Sequence, residues 1–282
     1  MDAFDANGPC EGINSHGRLW PMNNTMMDEK RPTLSPNRPH ITVVLAMSAD
    51  GKIADATRGA ARFPSKVDKA HLEAQVALAD ATLFGAGTLR AYGTTLPVLD
   101  AALIDQRRAR CQPDQPVQIV CSAMCKLDRN WRFFQQPVPR WLITTAEGIQ
   151  RWRADANGSR PFSQVLITER PFNWQAVMQD LRTGKAGLSA ATMRSPIKKL
   201  VVMGGGELVA SILSDNLVDE LYLTVCPLLI GGKTAPTPVS GLGFTLPRTP
   251  KLKLKSVRAE GDEVFLHYKV ANAQTKNTGT CL

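Results

Sequence analysis

A run of three consecutive glycines is the stretch of this sequence best suited to binding a phosphate group. Residues 204–206 follow the β-branched pair Val201-Val202, and a helical pattern begins at Glu207. Glycine lets the backbone bend sharply and lets a ligand approach the main chain. The first turn of a helix offers N–H groups without intrahelical partners and a partial positive charge, which suit a phosphate. Because the spacing differs from the G-x-G-x-x-G dinucleotide fingerprint, a purely structural turn stays open as the alternative.

The segments around this turn are predicted to alternate between strands and helices. Apolar runs predict strands at residues 41–47, 81–84, 117–121, 141–145, 164–168, 200–203 and 221–227. Helical patterns cover residues 66–80, 101–110 and 173–182, with a short helix through Leu89. Two last strands, 252–258 and 264–270, are joined by a Glu-Gly-Asp turn. This order predicts an α/β layered fold, with a mostly parallel central sheet, helices on both faces and an antiparallel C-terminal hairpin at the edge.

Three turns are expected to form one site at an edge of this sheet. In open α/β sheets, ligands bind beyond the carboxyl ends of the strands. The turns at residues 47–52, 85–88 and 204–207 each follow an apolar strand. We therefore expect them to converge.

Length and composition indicate one globular domain with loose ends. Residues 1–37 and 271–282 lack periodicity, and we predict a disordered extension and a loose tail around a folded domain at 38–270. Residues 183–196 are predicted to be a flexible insertion. The sequence has no apolar run of about 18 residues and no signal pattern at its start, so a cytoplasmic protein with no membrane partner is expected.

Charge and cysteines narrow the ligand classes. The formal net charge of +9 favours anionic partners such as phosphorylated metabolites, nucleotides or nucleic acid. Nucleic acid is the less favoured partner because only 6% of residues are aromatic, which leaves few stacking platforms. The six cysteines form no C-x-x-C pair and have no histidine at metal spacing, so we expect reduced thiols and no metal. A redox pair of Cys121 and Cys125 is the alternative.

Five motifs in order resemble the reductase domain of riboflavin biosynthesis proteins, the C-terminal domain of the bacterial bifunctional deaminase-reductases and a relative of dihydrofolate reductase. The motifs occupy residues 47–54 (MSADGKIA), 79–90 (ADATLFGAGTLR), 201–208 (VVMGGGEL), 217–221 (LVDEL) and 227–231 (PLLIG). The resemblance implies a dihydrofolate reductase-like fold and an NADPH-dependent reductase. Its substrate would be the phosphorylated pyrimidine 5-amino-6-(5-phosphoribosylamino)uracil or a pyrimidine relative, whose ribosylamino chain becomes ribitylamino. It also implies a homodimer.

The same resemblance implies which residues bind the cofactor. Met47 would border the nicotinamide, Thr88 would contact the cofactor, and Ser122 would hold the adenosine 2′-phosphate with Lys126 nearby. The pyrophosphate would lie against the backbone of Gly204, Gly205, Gly206, Glu207 and Leu208.

Four charged residues in and after the first turn are candidates for chemistry on the substrate. Asp50 is the acid of that turn and could protonate the substrate, directly or through water. The alternative for Asp50 is that it caps its own turn, as Asp before Gly usually does. Lys52, Arg58 and Arg62 could bind the substrate phosphate, or could be solvated charges.

The chain also departs from the pattern usual in the family. The departures are Val44, Ala61, Phe63, Val76, Leu99 and Met203. Most fall at substrate contacts, which leaves open a reductase of a pterin or another small molecule on the same fold. A non-catalytic protein that binds nucleotide or nucleic acid is a further alternative. The chain lacks the H-x-E…P-C-x-x-C signature, so no zinc deaminase activity is expected.

Overall fold

The computed structural model describes residues 37–154, 161–184 and 196–271. The predicted terminal segments lie outside the described residues apart from Asn37 and Ala271, as does most of the predicted insertion at 183–196. No helix in the described ranges is long and apolar enough to cross a membrane.

The described chain forms one nine-stranded sheet with helices between its strands. The strands are β1 (His40–Ser48), β2 (Ala81–Gly85), β3 (Val117–Cys121), β4 (Arg140–Thr144), β5 (Gln164–Ile167), β6 (Lys199–Val202), β7 (Glu220–Cys226), β8 (Lys251–Glu260) and β9 (Glu263–Ala271). The helices are α1 (Lys66–Leu78), α2 (Ala86–Tyr92), α3 (Ala101–Ala109), α4 (Ala146–Ala154), α5 (Trp174–Thr183) and α6 (Gly206–Ser214).

The strand order places the predicted turns side by side. The sheet runs β5-β4-β3-β2-β6-β1-β7-β9-β8. Every pair from β5 to β7 is parallel, whereas β9 pairs antiparallel with both β7 and β8. Because β2, β6 and β1 are neighbours, their carboxyl ends meet at one edge of the sheet.

Helices cover both faces of the sheet. Alternate residues of a strand point to opposite faces, and β1 shows this: Val43 and Leu45 belong to the core cluster that includes residues of α5 and α6, whereas Val44 packs with Leu72 of α1. On the second face, Leu89 of α2 shares an aromatic cluster with Phe84 and Phe133. The two cores fix the sheet on which the site is built.

The predicted architecture is confirmed, with one helix missed. Predicted strand boundaries fall within a few residues of the observed ones, and Val117–Cys121 agrees at both ends. Sequence patterns predict no helix between the fourth and fifth strands, where α4 lies. A Cβ built on Gly148 of this helix would stand 2.2 Å from the Ala123 carbonyl oxygen, so this glycine packs directly against the main chain.

Candidate active site

The glycine turn lies between β6 and α6 in the centre of the sheet. Gly204 has a φ of +108°, in the region that favours glycine. Its carbonyl oxygen accepts a 3.1 Å hydrogen bond from the N–H of Gly85, which joins the turn to the end of β2. The peptide bond between Gly204 and Gly205 is cis. Gly205 is the N-cap of α6 and has no side chain with which to cap the first N–H groups of this helix.

The glycines of the turn differ in what surrounds them. A Cβ built on Gly205 would have the Thr88 hydroxyl oxygen as its nearest neighbour, at 3.7 Å. A Cβ on Gly206 would stand 2.1 Å from the carbonyl oxygen of Thr237 and 2.6 Å from Ser240 Oγ. The Ser240 N–H also donates to the Gly206 carbonyl oxygen at 3.1 Å. Gly206 is therefore explained by packing under residues 237–240, whereas a Cβ on Gly205 would make only an ordinary contact with Thr88, and Gly205 lines an open space.

That space is an open cleft at the carboxyl ends of β1 and β6. Its lining joins the glycine turn, α1, α2, the end of β1 and the loop before α1. The lining residues are Val44, Leu45, Ala46, Ile53, Ala61, Pro64, Asp68, Leu72, Thr88, Tyr92, Met203, Gly204 and Gly205. Aliphatic side chains dominate, which is typical of a small-molecule pocket with few polar groups.

The cleft gathers some of the predicted cofactor residues. Thr88, Gly204 and Gly205 line it together. Glu207 is exposed in the first turn of α6, while Leu208 is buried in the core. Met47, half-buried near the end of β1, is not among the lining residues.

Ser122 lies apart from the glycine turn, at the carboxyl end of β3. Its N–H donates to the Ile143 carbonyl oxygen at 3.0 Å, and its side chain is buried. Lys126 is exposed in the loop that follows. Because β2 separates β3 from β6, Ser122 stands two strand spacings, about 10 Å, from the turn.

Asp50 is tied into the turn that follows β1. One carboxylate oxygen accepts hydrogen bonds from the Ser48 hydroxyl at 2.6 Å and the Ile230 N–H at 3.0 Å. The other accepts from the Gly231 N–H at 2.6 Å. These bonds, the one from Ser48 above all, lower the pKa of Asp50 to about 2. The geometry supports the turn-capping role of Asp50, since such a group holds no proton to donate at neutral pH.

The predicted phosphate ligands lie around the loop between β1 and α1. Arg58 is exposed, and its guanidinium stands 3.8 Å from the Glu207 carboxylate, so it reaches the start of α6. Arg62 is exposed beside Ala61, a lining residue, and Lys52 is half-buried beside Ile53, another lining residue. These cations flank the cleft without lining it.

The cleft also contains a buried acid that is not among the residues predicted from the sequence. Asp68, in the first turn of α1, is 7% exposed and is the only carboxylic acid among the described residues that line the cleft. Burial is the largest cause of its raised pKa, and the charge of Glu263 adds to it, while a hydrogen bond from Thr224 opposes it. Ser65, the N-cap of α1, accepts from the Asp68 N–H at 3.1 Å. An acid in a first helical turn is ordinary in sequence, so no local signal revealed its burial.

The structure separates the departures from the family pattern. Val44, Ala61 and Met203 line the cleft. Val76 is fully buried in a cluster with Ala77 and Val98, and Leu99 is exposed. Of these residues, Val44, Ala61 and Met203 are therefore the ones that can contact a ligand bound in the cleft.

Comparison with known proteins finds relatives that align with most of the chain. The 2,5-diamino-6-ribosylamino-4(3H)-pyrimidinone 5′-phosphate reductase of Archaeoglobus fulgidus is 29% identical over 207 residues, which cover 73% of this chain and 89% of that protein. The riboflavin biosynthesis protein RibD of Actinobacillus pleuropneumoniae is 26% identical over 84% of this chain, which spans only 58% of that protein.

The fold is shared with solved structures. A pyrimidine reductase-like protein from Corynebacterium diphtheriae superposes with a TM-score of 0.68 at 20% identity, covering 86% of this chain and 96% of the other. The riboflavin biosynthesis reductase Rib7 of Saccharomyces cerevisiae gives a TM-score of 0.58 at 18% identity, covering 83% and 90%. The sequence model of the RibD C-terminal domain matches residues 39–266, most of the chain, and this protein therefore belongs to the RibD C-terminal domain family.

Proposed function

We propose that this protein is a nicotinamide-dependent reductase of riboflavin biosynthesis, which converts the ribosylamino chain of a phosphorylated pyrimidine to a ribitylamino chain. The substrate is 5-amino-6-(5-phosphoribosylamino)uracil or its undeaminated relative. The observation that carries the proposal is the cleft in which Thr88, Gly204 and Gly205 meet the end of β1. Relatives named as reductases of this substrate class align with most of the chain.

The glycine turn fits the pyrophosphate of a dinucleotide. Gly205 lines the cleft and has no side chain, and the atom nearest to a Cβ built there would be the Thr88 hydroxyl oxygen at 3.7 Å. A ligand can therefore lie against the backbone of Gly205. The uncapped start of α6 suits a negative charge. When bound, the cofactor supplies the hydride, and the chain's own residues bind and orient the substrate beside it.

Ser122 and Lys126 support NADPH as the cofactor rather than NADH. Ser122 directly follows β3, about 10 Å along the sheet edge from the glycine turn, a separation suited to an extended dinucleotide, and Lys126 lies in the loop after it. A hydroxyl donor with a lysine nearby suits a phosphate monoester. Met47 would complete the nicotinamide side from the end of β1.

Lys52, Arg58 and Arg62 are proposed to bind the substrate phosphate at the mouth of the cleft. Arg58 already stands opposite an anion, Glu207, at 3.8 Å. Both of these side chains are exposed, so the pair is weak and a phosphate can replace it.

The test is NADPH oxidation by the purified protein with each of the two pyrimidine phosphates, with NADH in parallel. The proposal expects turnover that depends on one of these substrates and a product that has gained two hydrogen atoms by mass spectrometry. Absence of turnover with both, in a protein that binds NADPH, would refute the substrate assignment.

Apolar residues at family substrate positions favour a second candidate, an NADPH-dependent reductase of a pterin or another small molecule. Val44 and Met203 give the cleft an aliphatic wall. A panel of pterins in the same assay separates the two, because only the second candidate expects a pterin to be turned over faster than the pyrimidine phosphates.

We also propose that the protein is a homodimer formed through β8. This strand pairs with β9 on one side, and all of its residues are exposed. Leu252, Leu254 and Val257 expose 47%, 50% and 60% of their surface. Light scattering should give a dimer for the wild type and a monomer for Leu254→Lys. A wild-type monomer at micromolar concentration would overturn the proposal.

A further inference from the structure

We propose that Asp68 is the catalytic proton donor of this enzyme, reaching the substrate from the inner wall of the cleft. The inference rests on the proposed reductase function and assigns a residue to its acid step. It starts from position: Asp68 lines the same cleft as Thr88 and Gly205, on the facing element α1.

The surrounding network holds Asp68 in place. The Ser65 hydroxyl oxygen accepts the N–H groups of Val67 and Asp68, at 3.0 and 3.1 Å. The Ser65 hydroxyl in turn donates to Glu263, whose other carboxylate oxygen accepts the Ser65 N–H at 2.9 Å. Glu263, the first residue of β9, therefore fixes the start of α1 and with it the acid.

The groups that face Asp68 favour its protonated form. Its carboxyl is desolvated, and the Glu263 charge opposes a second negative charge nearby. From β7, a hydrogen bond from Thr224 opposes these two effects and lowers the Asp68 pKa, while Cys226 lies near both acids, with a thiol pKa raised to about 12 by burial and then by Glu263. From α2, Tyr92 has a raised pKa, mainly through burial, and donates to the Ala61 carbonyl oxygen at 3.0 Å.

Arg62, in the loop before α1, is a cation near Asp68 and Tyr92. The charge of Arg62 lowers the pKa of Tyr92, whereas the charge of Asp68 raises it. Arg62 is exposed, so solvent screens its effect. Asp50, by contrast, is held ionised by its hydrogen bonds. Of these two acids in and near the first loop, Asp68 is the one suited to giving up a proton.

The step balances with one proton and one hydride. The bond between C1′ and the ring oxygen of the ribosylamine breaks, and that oxygen takes the proton from Asp68 to become a hydroxyl. The resulting C1′–nitrogen double bond accepts a hydride from the reduced nicotinamide, which is oxidised. Solvent then returns a proton to Asp68.

The test compares Asp68→Asn with Asp100→Asn by kcat, NADPH affinity and pH profile. Asp100 also stands at a helix start, where it caps α3 outside the cleft. Asp68→Asn should lower kcat by about 100-fold or more. The Kd for NADPH should stay within about twofold of wild type, because Asp68 acts on the substrate and not on the cofactor. Asp100→Asn should keep kcat. Wild-type kcat should fall as pH rises through the Asp68 pKa, and this limb should be absent in Asp68→Asn.

Glu263→Gln provides a second readout in case Asp68→Asn does not fold. Removing the neighbouring charge lowers the Asp68 pKa, so the falling limb of the kcat profile should move to lower pH than in wild type. The proposal is overturned if Asp68→Asn retains kcat within about threefold, well short of the effect of a lost acid, or if neither variant changes the pH profile. A wild type that binds NADPH but turns over no pyrimidine would instead refute the proposed function beneath it.

Discussion

Alanine at Gly205 and at Gly206 should affect two different properties, although the two positions are adjacent. A methyl group on Gly206 would stand 2.1 Å from the Thr237 carbonyl oxygen and 2.6 Å from Ser240 Oγ, so residues 237–240 must move. Gly205 has φ −80° and ψ 176°, which alanine adopts readily, and its Cβ would meet its nearest neighbour at 3.7 Å.

The magnitudes follow from these distances. Overpacking of this kind costs about 1–3 kcal/mol, and loss of the hydrogen bond from Ser240 to Gly206 adds about 1 kcal/mol. For a protein of this size each kcal/mol lowers Tm by about 2–4 °C, so Gly206→Ala should melt several degrees below wild type. Gly205→Ala loses only a modest helix-cap preference, roughly 1 kcal/mol or less. Its methyl group narrows the cleft instead, and the Kd for NADPH should rise tenfold or more, about 1.4 kcal/mol.

Thermal melting and NADPH fluorescence titration on both variants make the comparison. The matched control is Gly87→Ala in α2, where a Cβ meets nothing within 4 Å. It should keep the Tm of wild type or gain slight stability from the higher helix propensity of alanine. Wild-type NADPH affinity in Gly205→Ala would refute cofactor binding along this turn, and wild-type Tm in Gly206→Ala would refute the packing argument.

Two further predictions concern stability. Asp50 has its pKa lowered from 3.8 to about 2, so its stabilising effect is present above pH 3.8 and is lost as pH falls toward 2. The Tm difference between wild type and Asp50→Asn should therefore shrink over that range. A difference that grows on acidification would contradict a stabilising role for the hydrogen bonds to the Asp50 carboxylate. Arg107 is fully buried and donates to the carbonyl oxygens of Pro113, Ala77 and Ala79. Arg107→Met should cost roughly 3 kcal/mol or more in chemical unfolding. The same substitution at the exposed Arg108 should cost under about 1 kcal/mol. Equal losses of unfolding free energy at the two positions would refute the role given to the buried hydrogen bonds of Arg107.

The seven parallel strands could be predicted because each is largely an apolar run bounded by turn residues. Val117–Cys121 is nearly all apolar and β-branched, and it agrees with the sequence prediction at both ends. Helix α4 could not be predicted, because its buried face consists of Gly148, Ile149 and Trp152, and glycine weighs against a helix. That glycine fits because the loop at Ala123 packs against it, a contact distant in sequence.

The part of the site formed by turns could be predicted, because those turns follow apolar strands. Residues 85–88 and 204–207 do meet, because β2 and β6 are neighbours. Local sequence cannot reveal that Asp50 is clamped by Ile230 and Gly231, 180 residues away. Nor can it reveal that Glu263, from the last strand, lies beside the start of α1. Roles that depend on such long-range contacts required the structure.

The most direct test of the central claim is the fate of a labelled hydride. NADPH carrying deuterium at the transferable position of the nicotinamide is incubated with the protein and the phosphoribosylaminopyrimidine, and the pyrimidine product is analysed by mass spectrometry. A ribitylamino product with one deuterium at C1′ is the predicted result. A product without deuterium, or recovery of unreduced substrate from a protein that binds NADPH, would contradict the assignment of this cleft as the active site of a pyrimidine reductase.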